Sequence, residues 1–401
     1  MRTEFKNVAV DETRRMLLRT SLFGALATFV GGNVAGCGGS SGGGSKSGGA
    51  IITGGTPSPT GAQPFGPLQA ADANGLRLPA GFTSRIVARS GTTPAPGSGY
   101  SWHAAPDGGA SFAAPDGGWI YVSNSEVSNR QGGVGALRFD ASGQLIDAYS
   151  ILDGTSRNCA GGPTPWGTWL SCEETDDGNV WECDPFGGFI PARLPALGAY
   201  NHEAAAVDPD SGTVYLSEDK GDGRFYRFIP DGLTLDGRPD LTTGVLQVAE
   251  VIDGEEGRVR WHDVPDPSGA MVATRAQVAA STPFNRGEGL WYDSGIVYMA
   301  TTADNRIWAY DVPSGEITVL YDGEALADPV LRKVDNLTVS PRGDIFVAED
   351  GDDMQLVALT VNGDIEPVVQ VVGHDDSEVT GPAFDPSGTR LYFSSQKGAT
   401  G

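Results

Sequence analysis

A short string built around one turn glycine recurs six times, and it constrains the fold more than any other feature. The copies are PDGGWIYVSNSE (115–126), TPWGTWLSCEE (164–174), DPDSGTVYLSED (208–219), YDSGIVYMATT (292–302), SPRGDIFVAED (340–350) and DPSGTRLYFSSQ (385–396). Each has a turn, alternating apolar residues and a polar or acidic end, which is the pattern of a strand with one buried face. The turn glycines Gly118, Gly167, Gly212, Gly295, Gly343 and Gly388 are 49, 45, 83, 48 and 45 residues apart. Further strand–turn–strand patterns fit between the copies, such as GALRFDASGQLIDAYSIL and RIWAYDVPSGEITVLY. A period of this size with several strands per repeat predicts an all-β chain folded as a β-propeller. The expected propeller has six blades of about four antiparallel strands each. The 58 glycines and 26 prolines suit such a turn-rich fold. One gap is nearly double, so residues 230–285 are read as an insertion or a seventh blade.

The strand that precedes each repeated turn also starts in a marked way. Asn201-His202-Glu203, Arg286-Gly287-Glu288, Asp335-Asn336 and Glu378 open four of them. In a propeller the innermost strands surround the axis, and the antiparallel second strand returns to the end where the first began. Glu203, Glu288, Asp335 and Glu378 are therefore expected to share one mouth with Glu126, Cys172, Glu173, Glu174, Glu218, Asp219, Glu349 and Asp350. Carboxylates so gathered repel one another, and leaving them buried and unpaired costs several kcal/mol each. Bound multivalent cations resolve this: oxygen ligands suit Ca²⁺ or Mg²⁺, and a thiolate among them suits iron or zinc. His202, beside Glu203, is a candidate ligand or acid–base residue. Arg286 is the obvious basic residue nearby.

The formal charge of −24, from 27 basic and 51 acidic residues, excludes nucleic acid as an expected partner. It also disfavours anionic substrates unless cations reverse the local sign. No serine triad, phosphate-cradling loop or nucleotide fingerprint is present. Three cysteines follow Cys37. Cys172 and Cys183 flank an Asp177-Gly178 turn, so a disulfide between them is one reading, with Cys159–Cys172 and Cys159–Cys183 as alternatives. The other reading makes Cys172 a metal thiolate.

The first 67 residues differ from the rest. Arg14-Arg15, the apolar run that follows and Val34-Ala35-Gly36-Cys37 resemble a twin-arginine export signal ending in a lipobox, over residues 1–37. Residues 38–67 form a Gly/Ser/Pro-rich tether, and residues 68–401 form one propeller domain. The expectation is a monomer exported folded to the periplasm or cell surface. Its only membrane contact would be an N-terminal lipid anchor.

TPWGTWLSCEE, NHEAAAVDPDSGTVYLSED, FNRGEGLWY and DNLTVSPRGDIFVAEDG resemble the PhoX-type alkaline phosphatases, over roughly residues 100–398. The resemblance implies a propeller carrying iron and calcium, with a metal-bound oxygen nucleophile that hydrolyses small phosphate monoesters at the channel mouth. It makes Cys172 with Glu173-Glu174 an expected iron-ligand strand end. Glu203, Glu288, Asp335 and Glu349-Asp350 become metal ligands, Glu126 a weaker match, and Arg286 a phosphate contact. The competing readings are a calcium-dependent, lactonase-like propeller hydrolase and a non-catalytic surface lipoprotein.

Overall fold

The computed structural model describes residues 64–397, so the segment read as an export signal, Cys37 and most of the segment read as a tether lie outside the described residues. No α-helix occurs among the described residues, only two short 3₁₀ turns at Pro195–Leu197 and Thr274–Ala276. The strands form six antiparallel units in chain order. The first unit is Pro106–Ala113, Trp119–Ser125, Gly132–Phe139 and Leu145–Thr155. The second is Gly162–Pro163, Trp169–Cys172, Val180–Cys183 and Ala192–Arg193. The third is His202–Val207, Val214–Glu218, Phe225–Pro230 and Gly244–Val251. The fourth is Gly287–Asp293, Ile296–Thr301, Arg306–Asp311 and Glu316–Asp322. The fifth is Val334–Val339, Ile345–Glu349, Gln355–Leu359 and Ile365–Val371, with Leu76–Arg77 added at its edge. The sixth has two strands, Val379–Phe384 and Leu391–Ser395.

The first strands touch one another in a closed ring, from the first unit through the sixth and back. Six apolar clusters fill the six junctions between neighbouring units. Tyr215 and Phe225 of the third meet Trp308 and Tyr310 of the fourth, for example, while Trp119 and Phe139 of the first meet Tyr392 of the sixth. Alternation along each strand supplies both faces of every sheet with apolar side chains, so each unit is buried from both sides. This packing is a β-propeller.

Residues 230–285 add no unit. Gly244–Val251 is the fourth strand of the third unit, and Gly257–Asp263 is a fifth strand that pairs Gly257 with Ile317 of the fourth unit. Close approach of units is tightest at Gly162, where a Cβ would lie 1.7 Å from the Ala205 carbonyl oxygen. Gly162→Ala is expected to cost about 3 kcal/mol, the upper end for overpacking, because backbone must move. A denaturant midpoint equal to wild type would contradict this.

Candidate active site

Strand register places the site. The pairs Pro106↔Ser125, Asn158↔Glu173, His202↔Glu218, Gly287↔Thr301, Val334↔Glu349 and Val379↔Ser395 occupy the same position in the six units. Side chains alternate between the two sides of a strand. The residue after each pair member therefore lies on the opposite side of its strand from that member. On the first strands these are Asp107, Cys159, Glu203, Glu288, Asp335 and Thr380. On the second they are Glu126, Glu174, Asp219, Thr302, Asp350 and Gln396. In five units the register shifts at this point, between Pro106/Gly109, His202/Ala205, Gly287/Leu290, Val334/Leu337 and Thr380/Ala383. Bulges of this kind re-aim side chains beside a site.

Seven of these residues form one continuous set of donors. Asp107, Glu126 and Cys159 make one group, Cys159, Glu174 and Glu203 a second, and Glu203, Glu288 and Asp335 a third. Within each group the ligand atoms lie within 4.8 Å of one another. Burial is the main force on them. It raises the Glu203 carboxyl well above the usual range, and Glu288, Glu174, Asp335 and Asp107 add repulsion. Asp107, Glu288 and Asp335 are raised in the same way, by burial first and neighbouring carboxylates second. Glu174 is pushed up to about 7, with Arg157 opposing the rise. The Cys159 thiol is raised by burial and by four surrounding acids.

Three cations rim the set. Arg286 pairs with Asp219 at 2.9 Å and Glu288 at 3.2 Å. Arg157 pairs with Glu126 at 3.1 Å and with Glu174. Lys397 pairs with Glu378 at 3.0 Å. Arg157 and Arg286 both hold left-handed backbone, with φ of 50° and 55°. Non-glycine residues hold this conformation at a cost of about 1–3 kcal/mol, typically at functional sites.

The donor set fits multivalent cations. Glu203 Oε2 is buried and accepts no hydrogen bond, and Glu288 Oε1 faces only Arg286, outside hydrogen-bond geometry. An isolated buried carboxylate oxygen is costly unless a charge or donor meets it. The oxygen-rich chemistry suits hard divalent ions, and the Cys159 sulfur adds one soft donor.

The expected site residues divide by parity. Glu126, Glu174, Glu203, Glu288 and Asp335 stand in the donor groups. Asp219 holds Arg286, and Asp350 lies near enough to raise Glu288 and Asp335. Glu218 and Glu349 belong to the register pairs and point the other way. Glu218 accepts from Tyr226 Oη at 2.8 Å and pairs with Arg275. Glu349 accepts from the backbone N–H groups of Arg332 and Gln355. Glu173 accepts from the Ser156 N–H and the Trp181 indole. His202 also faces away. It stacks on Tyr200, donates Nε2–H to the Gly198 carbonyl at 3.1 Å, and burial lowers it to about 4, so its ring is neutral.

The thiol in the donor set is that of Cys159, not of Cys172. Cys172 is packed among Leu170, Val180, Leu197 and Tyr200. Its hairpin register pairs it with Val180 and pairs Cys183 with Trp169, so the two do not face each other, and all three described cysteines are free. Asp107 and Cys159 escaped the sequence reading. The available signal was spacing: Asp107 and Cys159 precede their turn glycines by 11 and 8 residues, where Glu203, Glu288 and Asp335 precede theirs by 9, 7 and 8. Cys159→Ser is expected to change the bound ion content, whereas Cys172→Ser should leave it unchanged and lower stability by about 1–3 kcal/mol through a buried hydroxyl. Elemental mass spectrometry with thermal melts separates the two.

The model of the family "Alkaline phosphatase PhoX" matches residues 113–189, 177–323 and 308–398, most of the chain. The chain belongs to the PhoX alkaline phosphatase family. A phosphatase enzyme follows from that membership, and PhoX membership also implies metal dependence. The solved structure of Pseudomonas fluorescens PhoX in complex with vanadate, a transition state analogue, superposes with a TM-score of 0.69 at 17% identity. The match covers 87% of this chain and 94% of that chain, and it shows the shared propeller fold. A Xanthomonas campestris gluconolactonase aligns over 83% of this chain and 96% of its own, at 14% identity and a TM-score of 0.48. No curated protein matches the chain. A cavity of about 1120 Å³, bordered by Trp102, Phe346 and Tyr392, contains none of the seven donors.

Proposed function

We propose that this chain hydrolyses phosphate monoesters at the ring of donors, with calcium and iron as its ions. The observation that carries this is the continuity of the set: seven buried or half-buried donors, each group sharing a member with the next. Glu203, Glu288 and Asp335 would hold calcium, as an all-oxygen group. Glu174 and the sulfur of Cys159 would hold iron, and the carboxylates of Asp107 and Glu126, at the other end of the set, would hold a further calcium. Once bound, such ions offset the local negative charge, polarise the phosphoryl oxygens and activate the attacking nucleophile.

The chain's own residues do the rest. Arg286 is 41% exposed at the mouth, and its planar fork suits two phosphoryl oxygens. Asp219 fixes that fork with two hydrogen bonds of 2.9 and 3.1 Å to Arg286, so the guanidinium is oriented before substrate arrives. Burial around Glu203 and Glu288 excludes water and strengthens each electrostatic contact there. The export signal read at residues 1–37 would deliver the folded enzyme to the periplasm or cell surface.

Arg286→Ala is expected to raise KM for p-nitrophenyl phosphate at least tenfold with ion content unchanged, and Arg286→Lys should recover only part, since lysine is a point charge. Steady-state kinetics beside elemental analysis test this. An Arg286→Ala enzyme with wild-type KM and kcat would remove Arg286 from the site.

A further inference from the structure

Gln396 occupies, in the sixth unit, the position that Glu126, Glu174, Asp219 and Asp350 hold in the others. Its position follows from the pair Val379↔Ser395, the counterpart of Pro106↔Ser125. The side chain is buried, 4% exposed. Its Nε2 donates to Asp107 Oδ2 at 2.6 Å and to Glu126 Oε2 at 3.0 Å, so one amide spans two carboxylates of the first donor group. Its carbonyl oxygen Oε1 is buried and has no hydrogen-bond partner. A buried carbonyl oxygen beside two carboxylates is out of place in an all-protein network, because it adds a third acceptor where donors are scarce. It is in place beside a hard cation, which takes amide oxygens as readily as carboxylates.

We propose that Gln396 is a cation ligand, whose amide spaces Asp107 and Glu126 apart when no ion is bound and turns its carbonyl oxygen to a divalent ion when one arrives. The exchange needs only a half-turn about the last side-chain torsion, an sp³–sp² bond with a broad, roughly two-fold profile. No bond is made or broken. Two N–H donations are released, and three oxygen donors are gained by the ion. The other units offer charged oxygens at this place, or Thr302, so Gln396 supplies a neutral donor on the side where Asp107, Glu126 and Glu378 are already crowded. Lys397, next in the chain, pairs with Glu378 and limits that crowding from outside. The inference rests on the metal-dependent reading above, and it adds a ligand outside the acidic set.

The test uses the full chain purified without chelator, with Gln396→Met and Gln396→Glu. Methionine keeps the bulk and removes both amide functions, whereas glutamate keeps an oxygen and adds a charge. Ion content is read by elemental mass spectrometry, calcium affinity by competition with a chromophoric chelator, and melting temperature with and without calcium. Gln396→Met is expected to weaken one calcium-accessible site about tenfold, or to lose about one ion per chain. Gln396→Glu is expected to keep that ion and to melt below wild type only when ions are stripped, because Asp107, Glu126 and the new carboxylate then confront one another. Gln396→Met with wild-type ion content and calcium affinity overturns the inference. Should Gln396→Met not fold, a stripped Gln396→Glu protein that melts like stripped wild type overturns it instead. A wild-type protein that holds no ions overturns the metal-dependent reading itself and this ligand with it. That result differs from one in which wild type holds ions and the variants match it.

Discussion

Glu203→Gln is expected to lower hydrolysis of p-nitrophenyl phosphate by about a thousandfold while raising the melting temperature of the ion-stripped protein. Both signs follow from one placement. Glu203 is the member shared by two donor groups, with Cys159 and Glu174 on one side and Glu288 and Asp335 on the other. It is 1% exposed, one of its oxygens accepts a single N–H from Ala160 at 3.3 Å, and the other accepts nothing. Burial, then Glu288 and three further acids, disfavours its charge. A glutamine has the same shape without the charge, so the empty ring repels itself less and the fold gains. The same change removes a charged donor common to two ion positions. Residues that only orient metal ligands already cost 10- to 100-fold when mutated, so a shared ligand should cost more. An inactive variant that is also less stable in chelator would point to a packing role, and full activity would remove Glu203 from the site.

The ion-stripped protein should lose stability steeply as pH rises, in the direction opposite to the usual acid denaturation. Burial holds Glu349 at about 8, Glu174 at about 7 and Glu218 at about 6, against an ordinary value of 4.5. Between pH 4.5 and 8 the folded protein therefore binds more protons than the unfolded chain. Stability then falls as pH rises: the contribution is complete below 4.5 and is lost as pH passes each folded-state value. Each unit of displacement is worth about 1.4 kcal/mol, so the three groups together carry several kcal/mol. The raised Asp107, Glu203, Glu288 and Asp335 act in the same direction. Stripped protein is expected to melt highest near pH 5 and at least ten degrees lower at pH 8. Added calcium should restore most of the loss at pH 8, because an ion bound only by the folded state stabilises it by mass action. A stripped protein whose melting temperature is flat or rises from pH 5 to 8 would contradict the buried-acid account.

How much of this the sequence revealed depends on parity. The turn glycines repeat at the size of a propeller unit, and that spacing needs no knowledge of side-chain direction. The acidic strand ends were legible too, because Glu218-Asp219, Glu349-Asp350 and Cys172-Glu173-Glu174 stand out against apolar strands. Which of two adjacent residues faces the axis was not legible. Neighbours on a strand point to opposite sides, and the bulge after each register pair shifts the count by one. Glu218 and Glu349 fell on the wrong side for this reason, and Cys172, two residues before Glu174, sits in the apolar junction between the second and third units. Cys159 and Asp107 were hidden in segments without an acidic run, RNCAGG and AAPDGGA. Gln396 carries no charge, so nothing in its string marks it as the counterpart of Asp219 or Asp350. Residues 230–285 looked long enough for another unit, yet they extend the third unit and pair it with the fourth.

The most direct test of the central claim is p-nitrophenyl phosphate hydrolysis by the full chain, purified without chelator, then stripped, then resupplied with calcium and iron. The account predicts hydrolysis by the protein as purified, loss of it on stripping, and recovery only when the ions return. Hydrolysis that survives complete stripping, or its absence in protein shown to hold its ions, would contradict it.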